Sequence, residues 1–167
     1  MNGADLQTLV DYHYWARDRM LEALDGLTQD QWNRDVDSSF RSIRETAGHL
    51  YFAEWAWHER WEGRVPSGPP VTPFHDVAEL RRAWTELERE VRAFLQRLGD
   101  DVDRVCEYRL LSGQPGASTF AQMVQHVVNH ASYHRGQLTT MIRLVGGQPP
   151  KPMDVIAYHR LKSAPAR

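Results

Sequence analysis

The chain has 167 residues, and its 20 basic and 22 acidic side chains give a net charge of −2. This balance offers no basic surface for nucleic acid or anionic membranes, and no apolar run approaches the ~18 residues of a membrane span. The single cysteine, Cys106, excludes an internal disulfide and a cysteine-based zinc site within one chain.

No internal repeat, low-complexity run or change of composition marks a domain boundary, so residues 1–167 are expected to form one domain. The first residues, MNGADLQTLVDY, lack the basic and then apolar order of an export signal. We therefore expect a cytoplasmic protein with no membrane or nucleic-acid partner.

A first amphipathic helix is predicted from about Ala4 to Leu27, where apolar residues repeat at helical spacing. Two polar side chains, His13 and Arg17, fall inside its apolar stripe. Burial of such groups is costly unless they are hydrogen-bonded. They are therefore expected to complete a polar network in the core or to face a cavity.

A second helix is predicted to begin at Ser42, which forms an S-x-x-E capping signature with Glu45, and to run to about Gly63. One face of this helix cannot bury all of its large aromatic residues, so it should be covered on two sides, by the core and by a neighbouring loop or a second subunit. A homodimer is the predicted assembly. The aromatic residues are Tyr51, Phe52, Trp55, Trp57 and Trp61.

Helical periodicity also ranks the polar residues of this second helix as site candidates. Glu54 lies near the centre of its apolar face and His58 at the side, whereas His49 points away by about 120°. Periodicity alone therefore nominates Glu54 and His58 before His49.

The next segments alternate between connections and helices. Residues 64–73 carry four prolines and are predicted to form a surface connection. A third amphipathic helix follows from about Val77 to Leu98, without an ionisable group at the centre of its buried face. Residues 104–117 are expected to form an extended or hairpin-like crossover. A short helix is predicted from about Met153 to Leu161.

A fourth long helix is predicted from Thr119, a capping residue, to Gly146. Within it His126, His130 and His134 recur every fourth residue and therefore lie along one side of the helix. Adjacent histidines can share an ion, but His126 and His134 are about 12 Å apart. Burial favours His130 and His134, which lie nearer to the apolar face. Spacing alone leaves open whether these residues bind a metal or are ordinary core and surface histidines.

Four amphipathic helices, a long crossover before the fourth and a short C-terminal helix predict an all-α fold, an up-and-down four-helix bundle. Metal sites in such bundles are built from side chains of facing helices. The predicted architecture and the histidine spacing therefore agree.

Four stretches resemble the DinB/YfiT-like family of bacterial four-helix-bundle metalloproteins: YHYWARDRML, HLYFAEWAWHERWEG, HVVNHASYHRGQL and PPKPMDVIAYHRL. The resemblance runs over nearly the whole chain. It implies that His49, His130 and His134 bind a divalent metal, and imidazole ligands suit zinc or nickel. It also implies a homodimer and a metal-dependent transferase that activates a low-molecular-weight thiol, such as bacillithiol, mycothiol or glutathione, for attack on an electrophile.

The catalytic candidates beside this triad are His13, Glu54 and Arg135. Relatives often have asparagine at the position of His13, so its role stays open between a fourth ligand, a base beside the ligands, and packing. His126 is expected to line the approach to the pocket or to hydrogen-bond a neighbour, without binding the ion. Two other functions stay open: a non-enzymatic stress-response protein with a structural or sensing metal, and a metal-dependent hydrolase with a base such as Glu54.

Overall fold

The computed structural model of the protein describes residues 1–68 and 74–163. Its helices are α1 Gly3–Asp25, α2 Gln29–Asn33, α3 Ile43–Trp61, α4 Val77–Leu98, α5 Phe120–Leu144 and α6 Val155–Ser163. Its strands are β1 Val105–Arg109 and β2 Pro115–Thr119. Residues 69–73, the second half of the predicted proline-rich connection, lie outside the described residues.

The four long helices, α1, α3, α4 and α5, share one core. α1 contacts α4 and α5, and α3 contacts the same two helices. Every side chain that α4 buries is apolar, as its sequence predicts. The prediction of a helical fold is confirmed. None of the helices within residues 1–68 and 74–163 combines the length and the apolar character of a membrane-spanning segment.

The short helix α2 was not predicted, because five residues are too few for a periodic pattern. It begins at Thr28, whose side chain and that of Gln31 form a reciprocal capping box. It buries Trp32, which is 1% exposed. Local capping and one buried indole therefore hold a helix that periodicity does not detect.

The predicted hairpin-like crossover is confirmed as an antiparallel pair of strands, in which Val105 of β1 lies opposite Thr119 of β2. β1 contacts α3, and the ring of Tyr108 packs at 5.2 Å from the ring of Trp57. Gly116 makes this contact possible, because a Cβ atom there would lie 2.7 Å from the Tyr108 ring. The hairpin thus covers the second side of α3.

Candidate metal centre

The two helices that carry the histidines pack against each other. α3 begins after Ser42, whose side chain accepts a hydrogen bond from the backbone N–H of Glu45. α5 begins after Thr119, which forms a capping box with Gln122. Both starts were predicted from these residues, since an N-cap oxygen satisfies a backbone donor that the helix leaves free.

Three histidines meet between α3 and α5. One ring nitrogen from each of His49, His130 and His134 lies within 4.8 Å of the other two. The Nε2 atom of His130 is 3.3 Å from Nε2 of His49 and 3.1 Å from Nε2 of His134. Nitrogen ligands ~2.0–2.1 Å from a tetrahedral zinc ion are roughly 3.3 Å apart, so both of these distances fit such an ion. The triad could hold a divalent metal.

Neighbouring side chains orient two of the three rings. The Nδ1–H group of His134 donates to Oε1 of Gln137 at 2.6 Å. A neutral imidazole has one N–H group, so this bond leaves the lone pair on Nε2, the atom that faces His130. Phe40 stacks on His49 with 4.4 Å between the ring centres. These contacts fix ring positions without adding a ligand.

Burial favours the neutral form of two of the three histidines, His49 and His130. His134 is 6% exposed, and His49 and His130 are partly buried. Burial, aided by the nearby His134, lowers the pKa of His49. Burial and the neighbouring histidines lower the pKa of His130 to about 4. Neutral imidazoles are the form that binds metals, so the lowered pKa values of His49 and His130 favour metal binding at neutral pH.

His126 lies beside the triad and outside its converging nitrogens. Its side chain is exposed, and its ring lies 5.8 Å from that of His130 and 5.0 Å from that of Trp57. Burial therefore increases along the three histidines from His126 to His134, in the order that the apolar face of α5 predicts.

His58 is buried in another part of the core. Its ring lies 6.3 Å from that of Trp61 and 6.4 Å from that of Phe94, and burial lowers its pKa. Periodicity places His58 ahead of His49, whereas in the structure His49 joins the histidine cluster and His58 does not. Because α3 is covered on two sides, a single apolar line along it does not locate the site.

Glu54 is the centre of a buried polar network. It is 3% exposed, and its carboxylate accepts hydrogen bonds from Tyr14 Oη at 2.7 Å, Trp84 Nε1 at 2.7 Å and His13 Nε2 at 2.9 Å. Burial acts to raise the pKa of the Glu54 carboxyl, but His13 and the three hydrogen bonds outweigh it, so the pKa is lowered. The carboxylate is thus ionised and already engaged by three donors.

The other ring nitrogen of His13, Nδ1, is buried and makes no hydrogen bond within the described residues. A narrow void lined by His13, Glu54 and His130 lies between this network and the triad. The sequence left open whether His13 joins a polar network or faces a cavity. In the structure it joins the network through Glu54, and the void beside it has no room for a water molecule. It is not among the converging nitrogens.

Two arginines are buried near this network. Arg17 forms an ion pair with Glu88 at 2.5 Å. Arg135 is 4% exposed, donates to Ser132 Oγ at 2.9 Å, and lies 5.9 Å from the ring centre of Tyr12. Burial lowers the pKa of Arg135. These contacts are with α1 and with its own helix, and neither is with a histidine of the triad, so the structure does not bring this catalytic candidate into the triad.

Sequence reasoning missed Gln137 and Phe40. Gln137 follows His134 by three residues, a spacing at which helical side chains touch, so a usable signal existed. Phe40 precedes α3 in a connection without periodicity, and no pattern placed it beside His49.

Known proteins match this chain over most of its length. Protein DinB from Bacillus subtilis (strain 168) is 25% identical over 146 residues, which cover 83% of this chain and 84% of that protein. The crystal structure of a DinB-like protein from Bacillus cereus ATCC 10987 is similar in fold, with a TM-score of 0.66, 16% identity, and coverage of 86% of this chain and 95% of that chain. The sequence profile of the DinB family matches residues 1–166. With this match over almost the full sequence, on a mostly helical fold, the chain belongs to the DinB family.

Proposed function

We propose that the protein binds one divalent ion through His49, His130 and His134 and is a metal-dependent transferase that activates a low-molecular-weight thiol for attack on an electrophile. The convergence of three Nε2 atoms carries this proposal. Three neutral imidazoles leave an ion its full charge and an open coordination position, as in catalytic zinc sites. Nitrogen donors suit zinc and nickel alike.

A divalent ion held there lowers the pKa of a thiol that reaches it, so thiolate forms at neutral pH. The chain's own cysteine does not fill this role. Cys106 lies in β1, its Sγ is 3.5 Å from the carbonyl oxygen of Arg60, and burial raises its pKa. A thiol of raised pKa is a poor nucleophile at neutral pH. The reacting thiol is therefore external.

His13 and Glu54 are proposed to handle the proton that the thiol loses. Glu54 holds the Nε2–H group of His13 and leaves Nδ1 as an acceptor, in the way that a carboxylate orients a catalytic histidine. His13 and His130 line the same narrow void, and this proximity supports the assignment. In this scheme Glu54 positions His13, and His13 accepts the proton.

The test uses protein without an affinity tag, because nickel columns load sites of this kind. Metal analysis of protein purified without added metal identifies the native ion. The metal-loaded protein is then mixed with several thiols and a chromogenic electrophile. His134→Ala is the inactive reference. The matched control is His75→Ala, because the side chain of His75 is 82% exposed and lies outside the triad. We expect activity in wild type and His75→Ala only. If the rate of the wild-type protein is no higher than that of His134→Ala with any of the thiols, the proposal is contradicted.

Metal-dependent hydrolysis is the second candidate, and the unpartnered Nδ1 of His13 favours it as well. Water in place of the thiol also needs a proton acceptor, and Glu54 is already engaged by its three donors. Turnover of an activated ester without thiol, lost in His13→Gln, supports hydrolysis. Turnover that requires thiol supports the transferase.

Chelation separates both enzymes from a stress-response protein with a structural or sensing metal. A large loss of thermal stability without any associated activity supports that third role. A cytoplasmic location and a homodimeric assembly are part of the proposal. The lone free Cys106 suits a reducing compartment.

A further inference from the structure

A second cleft lies between the end of α3 and the hairpin. Its volume is about 570 Å³, and Arg60, Arg64 and Arg109 are among its lining residues. Arg60 follows His49 by about three turns of α3, or roughly 16 Å along the axis. No residue of the histidine triad lines this cleft. Pockets of roughly 300–1,000 Å³ are the size that binds small molecules.

The three arginines differ in their partners. Arg64 forms two hydrogen bonds with the carboxylate of Glu59, which neutralise it. Arg60 and Arg109 instead donate to carbonyl oxygens, Arg60 to that of Arg109 and Arg109 to that of Gly113. Within residues 1–68 and 74–163, neither forms an ion pair with a carboxylate. The cleft thus has two guanidinium groups without an anionic partner.

Arg60 is the more unusual of the two, because it is 5% exposed. Its guanidinium lies 4.7 Å from the ring centre of Trp57, and its Nε is 3.1 Å from the carbonyl oxygen of Arg109. Burial lowers its pKa, and only Tyr108 opposes that shift. A buried cation is costly without a paired anion, and cation–π contact with Trp57 offsets only part of the cost.

We propose that this cleft is an anion-binding site in which Arg60 and Arg109 bind the carboxylate or phosphate group of a small organic anion. A planar guanidinium binds either group through paired N–H donors. Arg60, held by the hairpin carbonyl, is preoriented, and the exposed Arg109 adds a second charge. Tyr108 supplies an aromatic wall. Glu107, the one carboxylate among the described lining residues, reduces the net positive charge.

The test is calorimetric titration of metal-free, full-length protein with inorganic phosphate and, separately, with succinate. Metal-free protein makes the result independent of the proposed transferase. We expect at least one of the two anions to bind at one site per chain, more weakly as salt rises. Arg60→Gln and Arg109→Gln should each weaken binding about tenfold or more, the effect of losing a charge-assisted hydrogen bond. Glu107→Gln should strengthen it.

Arg89→Gln, which removes an exposed arginine of α4, is the matched control and should bind like wild type. Circular dichroism checks the folding of Arg60→Gln, and the exposed Arg109 gives a second result that does not depend on a core residue. Binding of phosphate alone or succinate alone supports the site and identifies the anion class. No binding of either, or equal affinity in wild type, Arg60→Gln and Arg109→Gln, overturns the proposal.

Discussion

The Nδ1–H group of His134 donates a 2.6 Å hydrogen bond to Oε1 of Gln137, one turn further along α5. This bond selects the tautomer in which the Nε2 lone pair faces the other two histidines. The glutamine offers no ligand itself, yet it orients the ring of His134 toward the other two histidines.

Gln137→Leu should therefore lower metal affinity about 10–100-fold without abolishing binding, since the ring loses its orienting partner and keeps its nitrogen. Competition with a chromophoric chelator measures this affinity. Gln125→Leu, an exposed position on the same helix, is the control and should change little. An equal effect in both variants would show that the hydrogen bond does not orient a ligand.

Loss of a triad imidazole should abolish stoichiometric metal binding, whereas loss of His126 should not. His126 is exposed and outside the converging nitrogens, so His126→Ala keeps all three donors. His49→Ala, His130→Ala and His134→Ala each remove one. Elemental analysis of untagged proteins at saturating metal measures the stoichiometry. Equal loss in all four variants would place the site elsewhere.

Glu54→Ala should destabilise the protein by about 3 kcal/mol or more, because it leaves three buried donors without an acceptor, at roughly 1–3 kcal/mol each. Tyr14, Trp84 and His13 would each lose an acceptor in the core. Urea unfolding gives the free energy of unfolding. The control is Glu86→Ala, since Glu86 pairs with Arg89 on the surface, where such pairs contribute about 0–1 kcal/mol. Similar losses in the two variants contradict a stabilising role for the network.

His58 should make the protein less stable in acid. Burial lowers its pKa below the ordinary 6.5, so between those two pKa values the unfolded chain binds more protons than the native state. The free energy of unfolding therefore rises with pH through this window. The contribution of His58 is fully present above pH 6.5 and is lost as the pH falls to the lowered pKa of the native state. His58→Phe removes the titrating group and keeps a ring beside Trp61 and Phe94.

Urea unfolding of metal-free protein across pH 5–8 tests this. The stability of His58→Phe should decline less than that of wild type on the acidic side. Identical pH profiles would mean that His58 titrates alike in the folded and unfolded states.

Phe52 and Trp55 are the residues of α3 that favour a homodimer. These rings stack at 5.7 Å on α3 and are only partly buried, whereas the hairpin accounts for the cover over Trp57. Aromatic side chains that one chain covers only in part often lie at an interface. Light scattering should give twice the 19.3 kDa chain mass, and Trp55→Gln should lower it. Trp15→Gln, at a partly buried tryptophan of α1, is the control. A wild-type mass of 19.3 kDa at micromolar concentration refutes the dimer.

Local patterns were sufficient for much of the fold, because each long helix has an apolar stripe or a capping residue that acts within a few positions. Ser42 and Thr119 begin α3 and α5 in the structure as predicted. The contact between His49 and His130 could not be predicted from such local patterns. These residues are 81 positions apart, and their contact depends on how two helices pack. Only the family resemblance named His49.

Burial on two sides explains why periodicity preferred other residues of α3. Glu54 and His58 are 3% and 2% exposed, yet neither is among the residues that converge in the histidine cluster. A helical pattern reports that a side chain is buried and does not report which neighbours it meets. For a helix with two covered faces, that second fact decides where a site lies.

Thr119 is both the last residue of β2, opposite Val105, and the N-cap of α5. The hairpin therefore continues directly into the helix that carries His130 and His134. No linker separates them, so a change in strand register is passed on to the helix. A one-residue slip in strand pairing would turn the start of α5 by about 100° and swing both histidines off the side that meets α3. The rotational phase of the histidine helix is thus set by a two-stranded ribbon that contributes none of the three imidazoles.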